Sequence, residues 1–237
     1  MIEVSPISGA FAAQINHVDL ANLSDAEFET IYAAWLDHGV LRIRGQALDE
    51  ADLQQFSARF GPLEEAPTGR MSAAQKAKIK NRYVTQLSNI LVNGKPIGGL
   101  GNSEASWHSD MTYDPKPPKL TMLYALEAPA IGGQTAFANQ IHAYEELSTG
   151  MKSLVDSLVA LHSAKDLARL YGQDPDQASE AEHPVVRTHD ETGQRALYVC
   201  KAFTRQFRDW SRQESRVLLD YLYEHCVRPE YQARHQW

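Results

Sequence analysis

The chain has 237 residues, enough for one domain with a substantial core, and its 43% hydrophobic and 22% charged residues are typical of a globular protein. A formal net charge of −7 argues against a nucleic-acid partner, which would need a basic face. The sequence contains no long apolar run and no basic leader, so neither a membrane span nor a signal peptide is expected. The two cysteines, Cys200 and Cys226, favour free buried thiols in a reducing compartment, with a single disulfide as the alternative, and we expect a cytoplasmic protein.

The N-terminal part predicts helices packed on a sheet. A first helix begins at Ser24, because Glu27 three residues later completes a capping box, and Gly39 ends it. Residues 40–43 predict a strand, and residues 49–61 predict a second helix with an aromatic stripe.

The next segments are mostly polar. Residues 62–82 carry several lysines and predict a solvated helix or loop, with a lid over a pocket as the alternative. Residues 83–90 predict a strand. The glycine cluster at 98–101 predicts a flexible connection and not a dinucleotide fingerprint, because its third glycine is missing.

The C-terminal half predicts mixed elements. Leucine spacing favours a helix within 143–162, and the polar residues 163–182 favour an insertion loop or surface helix. Residues 183–187 and 195–199 predict a hairpin, and a second capping box starts a last helix at Ser211. Many short strands with helices outside them favour an antiparallel jelly roll.

The chemistry is concentrated in the segment Trp-His-Ser-Asp at 107–110. On an extended strand His108 and Asp110 would point to one face, which would place an imidazole beside a carboxylate as in a 2-His-1-carboxylate iron site. The same spacing occurs at His17 and Asp19, where a turn or edge strand before a helix is the simpler interpretation. The spacing alone therefore does not define a metal site.

The context of His108 distinguishes the two pairs. The segment WHSDMTY at 107–113 precedes a Pro-Pro pair at 117–118, an apolar predicted strand at 120–126 that overlaps LYALEAP at 123–129, and GGQTAFAN at 132–139. This order resembles the taurine dioxygenase and 2,4-D dioxygenase (TauD/TfdA-like) family of Fe(II)/2-oxoglutarate-dependent oxygenases, and the resemblance covers essentially the whole chain.

The resemblance implies a fold and a reaction. The fold would be mainly β with helical additions, a double-stranded β-helix or jelly roll. The cofactor would be Fe(II), with 2-oxoglutarate and O₂ as cosubstrates. The reaction would hydroxylate a small organic molecule and release succinate and CO₂.

The resemblance also implies residue roles. His108 and Asp110 would be metal ligands, and the Thr135 hydroxyl would contact the carboxylate of 2-oxoglutarate. Phe203 would wall the substrate pocket, with plain core packing as the alternative, and Glu104 would contact substrate. An acidic or amine-bearing substrate is expected, and taurine is disfavoured. Structural roles are expected for three further residues, Trp107, His183 and His189.

The resemblance ends where two family features would follow. In the family, the segment corresponding to 229–237 leads to a distal His ligand and to an Arg that pairs with 2-oxoglutarate. Neither has a counterpart in this sequence, and we do not expect His235 to replace the ligand. We therefore expect a single domain, 1–237, without its last strands, which binds iron weakly and turns over poorly.

Other function classes stay open. A catalytically inactive jelly roll would bind metal without consuming 2-oxoglutarate. A pseudoenzyme or oligomerisation module would bind neither. The sequence leaves the oligomeric state open, a homo-oligomer included.

Overall fold

The computed structural model describes residues 2–7, 11–65, 81–96, 99–100 and 106–237. The α-helices are α1 (Asp25–His38), α2 (Glu50–Ala58), α3 (Gln140–Glu145), α4 (Thr149–Val155), α5 (Lys165–Leu170) and α6 (Arg212–Cys226). The strands are β1 (Glu3–Pro6), β2 (Ala13–Asn16), β3 (Leu41–Ile43), β4 (Leu87–Ser88), β5 (Leu91–Val92), β6 (Lys95–Pro96), β7 (Gly99–Leu100), β8 (Thr135–Ala138), β9 (Val159–Ser163), β10 (Glu180–Pro184), β11 (Val186–Thr188), β12 (Arg195–Leu197), β13 (Thr204–Phe207) and β14 (Gln232–His235). Among the described residues, none of these helices is long and apolar enough to cross a membrane.

The strands form small sheets. Strands β1, β2 and β3 form one three-stranded sheet, and a second has the order β10-β9-β13. Strands β11 and β12 form the predicted hairpin, while β14 pairs antiparallel with β8. The helices thus accompany several short sheets, which agrees with the predicted combination of strands and helical additions.

Both predicted capping boxes are confirmed. At the start of α1, the Glu27 carboxylate accepts a hydrogen bond from the Ser24 backbone N–H at 3.0 Å, and the Ser24 hydroxyl accepts one from Glu27 N–H at 3.3 Å. At the start of α6, Ser211 and Glu214 make the same reciprocal pair. Gly39 ends α1 with φ +69°, a conformation that glycine adopts without strain.

Among the described residues, the core has two apolar clusters. The N-terminal cluster joins α1 and α2 to β2 and includes Ile15, Ile31 and Phe56. The larger cluster joins α3 and α6 to the sheet of β9 and β13 and includes Phe207 and Leu222.

The helix predicted within 143–162 is partly wrong. The segment contains α3 and α4, but its last residues form β9, which lies between β10 and β13. Because β9 is hydrogen-bonded on both sides, backbone pairing outweighs the helical spacing of its leucines.

Three other predictions need correction. Residues 120–126 are not a strand, and of the predicted strand 83–90 only β4 forms. Residues 163–182 contain α5, a short 3₁₀ turn and the start of β10. Residues 66–80, and with them most of the predicted lid, lie outside the described residues, as do Gly98 and Gly101.

Candidate metal centre

His108 and Asp110 lie side by side, but not on a strand. The segment 106–114 is irregular and turns at Asp110. The prediction that strand alternation places the two side chains on one face is therefore wrong. The turn is closed by a hydrogen bond from Asp114 N–H to the Met111 carbonyl at 2.9 Å, and Met111 has φ +51°. This left-handed conformation is uncommon for an unbranched residue outside a tight turn. The pair therefore lies on irregular backbone that leads into a turn, and not on a strand.

The two side chains converge on one point. His108 Nε2 lies 3.2 Å from Asp110 Oδ1, and the side chains are 36% and 45% exposed. His108 Nδ1 lies 2.7 Å from the backbone oxygen of Ser106. Because a carbonyl oxygen only accepts, Nδ1 carries a hydrogen, and in the neutral ring the lone pair is on Nε2. The pair therefore presents one nitrogen and one oxygen to the same accessible point.

The electrostatics of the pair follow from these contacts. When the His108 ring is protonated, its Nε2–H donates to Asp110 and lowers the pKa of that carboxyl, and the Thr121 hydroxyl, which donates to Asp110 Oδ2 at 2.6 Å, lowers it further against the opposing effect of burial. The hydrogen bond to Asp110 raises the pKa of His108, although burial opposes the rise. Asp110 is therefore an anion at neutral pH. A proton and a metal ion would compete for His108 Nε2.

The donor set fits a non-haem metal ion in part. A neutral imidazole nitrogen and a carboxylate oxygen are two of the three ligands of a facial triad. Within the described ranges, His, Cys, Asp and Glu side chains form no group of three or more that could hold a metal ion. His235 ends β14 opposite Thr135, and its ring packs on Trp237 at 4.4 Å. It does not complete such a group.

An aromatic pair packs against the His108 side of the site. The Phe203 ring meets His108 edge-on at 6.0 Å and Tyr113 edge-on at 5.0 Å. Phe203 is only 9% exposed, so both the pocket-wall role and the core role predicted for it are compatible with its burial. Tyr113 also lines an open cleft of about 560 Å³ with residues of α5. Neither His108 nor Asp110 lines that cleft.

Thr135 lies at the start of β8. Its hydroxyl oxygen accepts a hydrogen bond from Trp237 Nε1 at 2.9 Å, and Gln236 binds the Gly132 carbonyl at 3.2 Å. These contacts join the Gly-Gly-Gln-Thr segment to the two residues that follow β14. Glu104, the predicted substrate contact, lies outside the described residues.

The second H-x-D pair serves a structural purpose. His17 has φ +59° and its ring faces Glu3 at 3.6 Å, while Asp19 caps a 3₁₀ turn by accepting a hydrogen bond from Ala21 N–H at 3.0 Å. The two side chains thus bind different partners, in agreement with the turn interpretation.

Sequence analysis missed several contributors to the site. Thr121 binds Asp110 from eleven residues away, Tyr113 packs on Phe203, and His183 binds the backbone of Asp114. Tyr113 was within the motif, so its position was a usable signal. The contacts of Thr121 and His183 depend on the tertiary path of the chain, which spacing does not encode.

Comparisons with known proteins identify the family. The model for "Taurine catabolism dioxygenase TauD, TfdA family" matches residues 3–237. An alpha-ketoglutarate-dependent sulfate ester dioxygenase of Pseudomonas putida is 33% identical over 251 residues, covering 100% of this chain and 78% of the relative. An alpha-ketoglutarate-dependent 2,4-dichlorophenoxyacetate dioxygenase of Cupriavidus pinatubonensis is 30% identical over 254 residues, covering 100% and 86%.

A solved structure gives the same result. The crystal structure of a taurine dioxygenase from Burkholderia xenovorans superposes with a TM-score of 0.78 at 30% identity, covering 100% of this chain and 77% of that chain. The fold is thus of the TauD dioxygenase type. The chain belongs to the TauD/TfdA family of dioxygenases, as the order of its motifs predicted.

Proposed function

We propose that this protein is an Fe(II)- and 2-oxoglutarate-dependent oxygenase that hydroxylates a small organic molecule, with succinate and CO₂ as co-products. The observation that carries the proposal is the convergence of His108 Nε2 and Asp110 Oδ1, 3.2 Å apart and accessible to solvent. Family membership supports the reaction class. A closed double-stranded β-helix is part of the same proposal and is supported by the structural likeness to a taurine dioxygenase.

The proposed roles follow from the chemistry of each group. His108 and Asp110 would hold the metal, which when bound supplies sites for the keto acid and O₂. The Ser106 carbonyl keeps a hydrogen on His108 Nδ1 and so directs Nε2 to the metal. The Thr121 hydroxyl orients the carboxylate of Asp110. Both contacts reduce the freedom of the ligands before any metal binds.

The remaining roles concern the organic ligands. Thr135 would donate its hydroxyl hydrogen to a carboxylate of 2-oxoglutarate, because the indole of Trp237 already occupies one acceptor position of that oxygen. Phe203 and Tyr113 would exclude water from the site with their apolar edges. Glu104 is proposed as a substrate contact on the family resemblance alone.

Anaerobic titration of the protein with Fe(II) and 2-oxoglutarate tests the proposal. A chelated keto acid gives a weak visible charge-transfer band, which we expect in the wild type and not in His108→Ala or Asp110→Ala. Succinate release should then be measured with a sulfate ester, a sulfonate and a phenoxyacetate, the substrate classes suggested by the relatives. Absence of the band at saturating iron would contradict the proposal. Metal binding without succinate would instead favour the inactive metal-binding alternative.

A further inference from the structure

His183 makes a contact that family roles leave unexplained. It lies on β10 and is only 6% exposed, and its Nε2 lies 3.0 Å from the backbone oxygen of Asp114, 69 residues earlier in the chain. A carbonyl oxygen only accepts, so Nε2 carries the hydrogen and donates it. A buried side chain on the sheet is thus bonded to the segment that contains His108 and Asp110.

The ring of His183 is held in the orientation that this bond needs. His162 and Tyr198 pack on it edge-to-face, with ring centroids 5.4 and 5.3 Å away. His162 is fully buried, and burial lowers its pKa to about 3, so it presents a neutral ring to His183 at neutral pH. Packing against these two neighbouring rings limits rotation of the His183 ring, and the donor is oriented before it meets the carbonyl.

Asp114 ends the turn that begins at Asp110. The turn contains Met111 in a left-handed conformation, and Asp114 N–H closes it on the Met111 carbonyl. A non-glycine residue in this region costs free energy and persists only when surrounding contacts fix it. Thr112, at the centre of the turn, is 1% exposed. The His183 bond is one of the contacts that can hold the turn.

Aromatic packing provides a second set of contacts to the turn. Tyr113 packs on Phe203, and Phe203 packs on the ring of His108. Between the bond at Asp114 and this packing, the chain has little freedom to move Asp110 away from His108. Loss of either contact should loosen the turn without touching the two ligand side chains themselves.

We propose that His183 is a positioning residue, whose Nε2–H holds the Asp110–Asp114 turn through the Asp114 carbonyl and thereby sets Asp110 beside His108. The metal-binding consequence rests on the proposed function, while the hold on the turn does not. Groups that orient metal ligands from outside the coordination sphere typically alter metal affinity by about 10- to 100-fold when removed.

Three variants separate the donor from the ring. His183→Phe keeps an aromatic ring but removes the donor, and His183→Gln restores an N–H at a similar reach. Tyr198→Phe is the matched control, because it alters the same aromatic cluster without touching the Asp114 bond. A role in packing alone would be preserved by His183→Phe and disturbed by His183→Gln, which is the reverse of the proposed pattern.

Hydrogen–deuterium exchange of the metal-free chain is the first measurement. In His183→Phe we expect amides of residues 107–114 to exchange about 5- to 10-fold faster, while peptides of α6 exchange as in the wild type. His183→Gln and Tyr198→Phe should stay within about twofold of the wild type in the same segment. Unchanged exchange of 107–114 in His183→Phe would overturn the proposal, as would faster exchange in every peptide or no recovery in His183→Gln.

Titration with Mn(II), followed by the electron paramagnetic resonance signal of the free ion, is the second measurement. We expect about tenfold weaker binding in His183→Phe, recovery in His183→Gln and no change in Tyr198→Phe. If the wild type binds no Mn(II), the proposed metal site fails, and hydrogen exchange still decides the role of His183. If the wild type binds and His183→Phe binds equally well, the positioning role fails and the metal site stands.

Discussion

The indole Nε1 of Trp237 donates a hydrogen bond to the hydroxyl oxygen of Thr135 at 2.9 Å. Thr135 lies opposite His235 in the β8–β14 pair, and Trp237 follows two residues after His235. The hydroxyl oxygen has two acceptor positions and one hydrogen to donate. With the indole at one acceptor position, the hydroxyl hydrogen points elsewhere and is available to a carboxylate.

This contact predicts the effect of two substitutions on 2-oxoglutarate affinity. Thr135→Val removes the hydroxyl and should weaken binding about tenfold, the equivalent of one hydrogen bond to a charged group. Trp237→Phe leaves the hydroxyl but frees its orientation, and it should weaken binding about threefold. The titration is anaerobic, with Fe(II) present, and is followed by the charge-transfer band.

Trp210→Phe is the control for these two variants, because Trp210 packs on Phe207 in another part of the core. It should bind 2-oxoglutarate as the wild type does. Equal affinity of the wild type and Thr135→Val would remove Thr135 from the proposed cosubstrate site.

The two H-x-D pairs predict opposite results in metal binding. His108→Ala and Asp110→Ala each remove one proposed ligand, and we expect Mn(II) affinity to fall by about 100-fold or more. His17→Ala and Asp19→Ala alter the same sequence pattern where the side chains bind Glu3 and a 3₁₀ turn, and Mn(II) affinity should not change. Equilibrium dialysis at pH 7.5 measures all four variants. A comparable loss of affinity in His17→Ala or Asp19→Ala would contradict the choice of His108 and Asp110 as the metal site.

The sequence predicted those features of the fold that depend on local chemistry. The helix starts at Ser24 and Ser211 followed from capping boxes, and the β11–β12 hairpin followed from turn residues between two apolar runs. The strand β9 was missed because its central place in a sheet is a property of distant partners. Local signals therefore identified element ends, while strand partnership required the tertiary structure.

For the candidate site, the sequence predicted the pair of side chains but not the backbone geometry or the contacts that support it. His108 and Asp110 were chosen correctly as neighbours, but the predicted strand geometry was wrong, because the pair lies on irregular backbone that leads into the turn at Met111. The contacts that fix the turn come from Thr121 and His183, and neither residue lies within the motif. Sequence spacing can select the ligand candidates, but it does not reveal what holds them in place.

Substitutions of Phe203 distinguish a role in the wall of the substrate pocket from a role in core packing alone. Phe203→Ala should destabilise the fold by about 3–5 kcal/mol, because it removes a ring that is 9% exposed and contacts His108 and Tyr113, and the removal leaves a cavity. Phe203→Leu keeps most of the apolar volume, and we expect a loss below about 1.5 kcal/mol in urea unfolding. If Phe203 walls the substrate pocket, Phe203→Leu should keep 2-oxoglutarate binding and change the relative succinate yields among substrates. Unchanged relative yields would leave Phe203 as a core residue only.

The buried imidazole of His162 should make the folding stability depend on pH. Burial lowers the pKa of His162 from 6.5 to about 3, and its Nε2 has no hydrogen-bond partner among the described residues. Between pH 6.5 and pH 3 the unfolded chain therefore binds a proton at this site that the folded chain does not. Stability from the neutral ring is fully present above pH 6.5 and is lost as the pH falls toward 3.

The variant His162→Leu removes this linkage. Between pH 7 and pH 5 the wild type should lose about 2 kcal/mol more unfolding free energy than His162→Leu. The pH falls about 1.5 units below the unfolded pKa of 6.5, and each of these pH units costs about 1.36 kcal/mol. Urea unfolding at both pH values measures the difference, in which the other titrating groups largely cancel. Thr112→Val is the control, because Thr112 is buried and does not titrate, so its substitution should shift stability equally at both pH values. Equal pH dependence in the wild type and His162→Leu would mean that His162 takes up a proton in the folded protein as readily as in the unfolded chain, which would contradict the lowered pKa of His162.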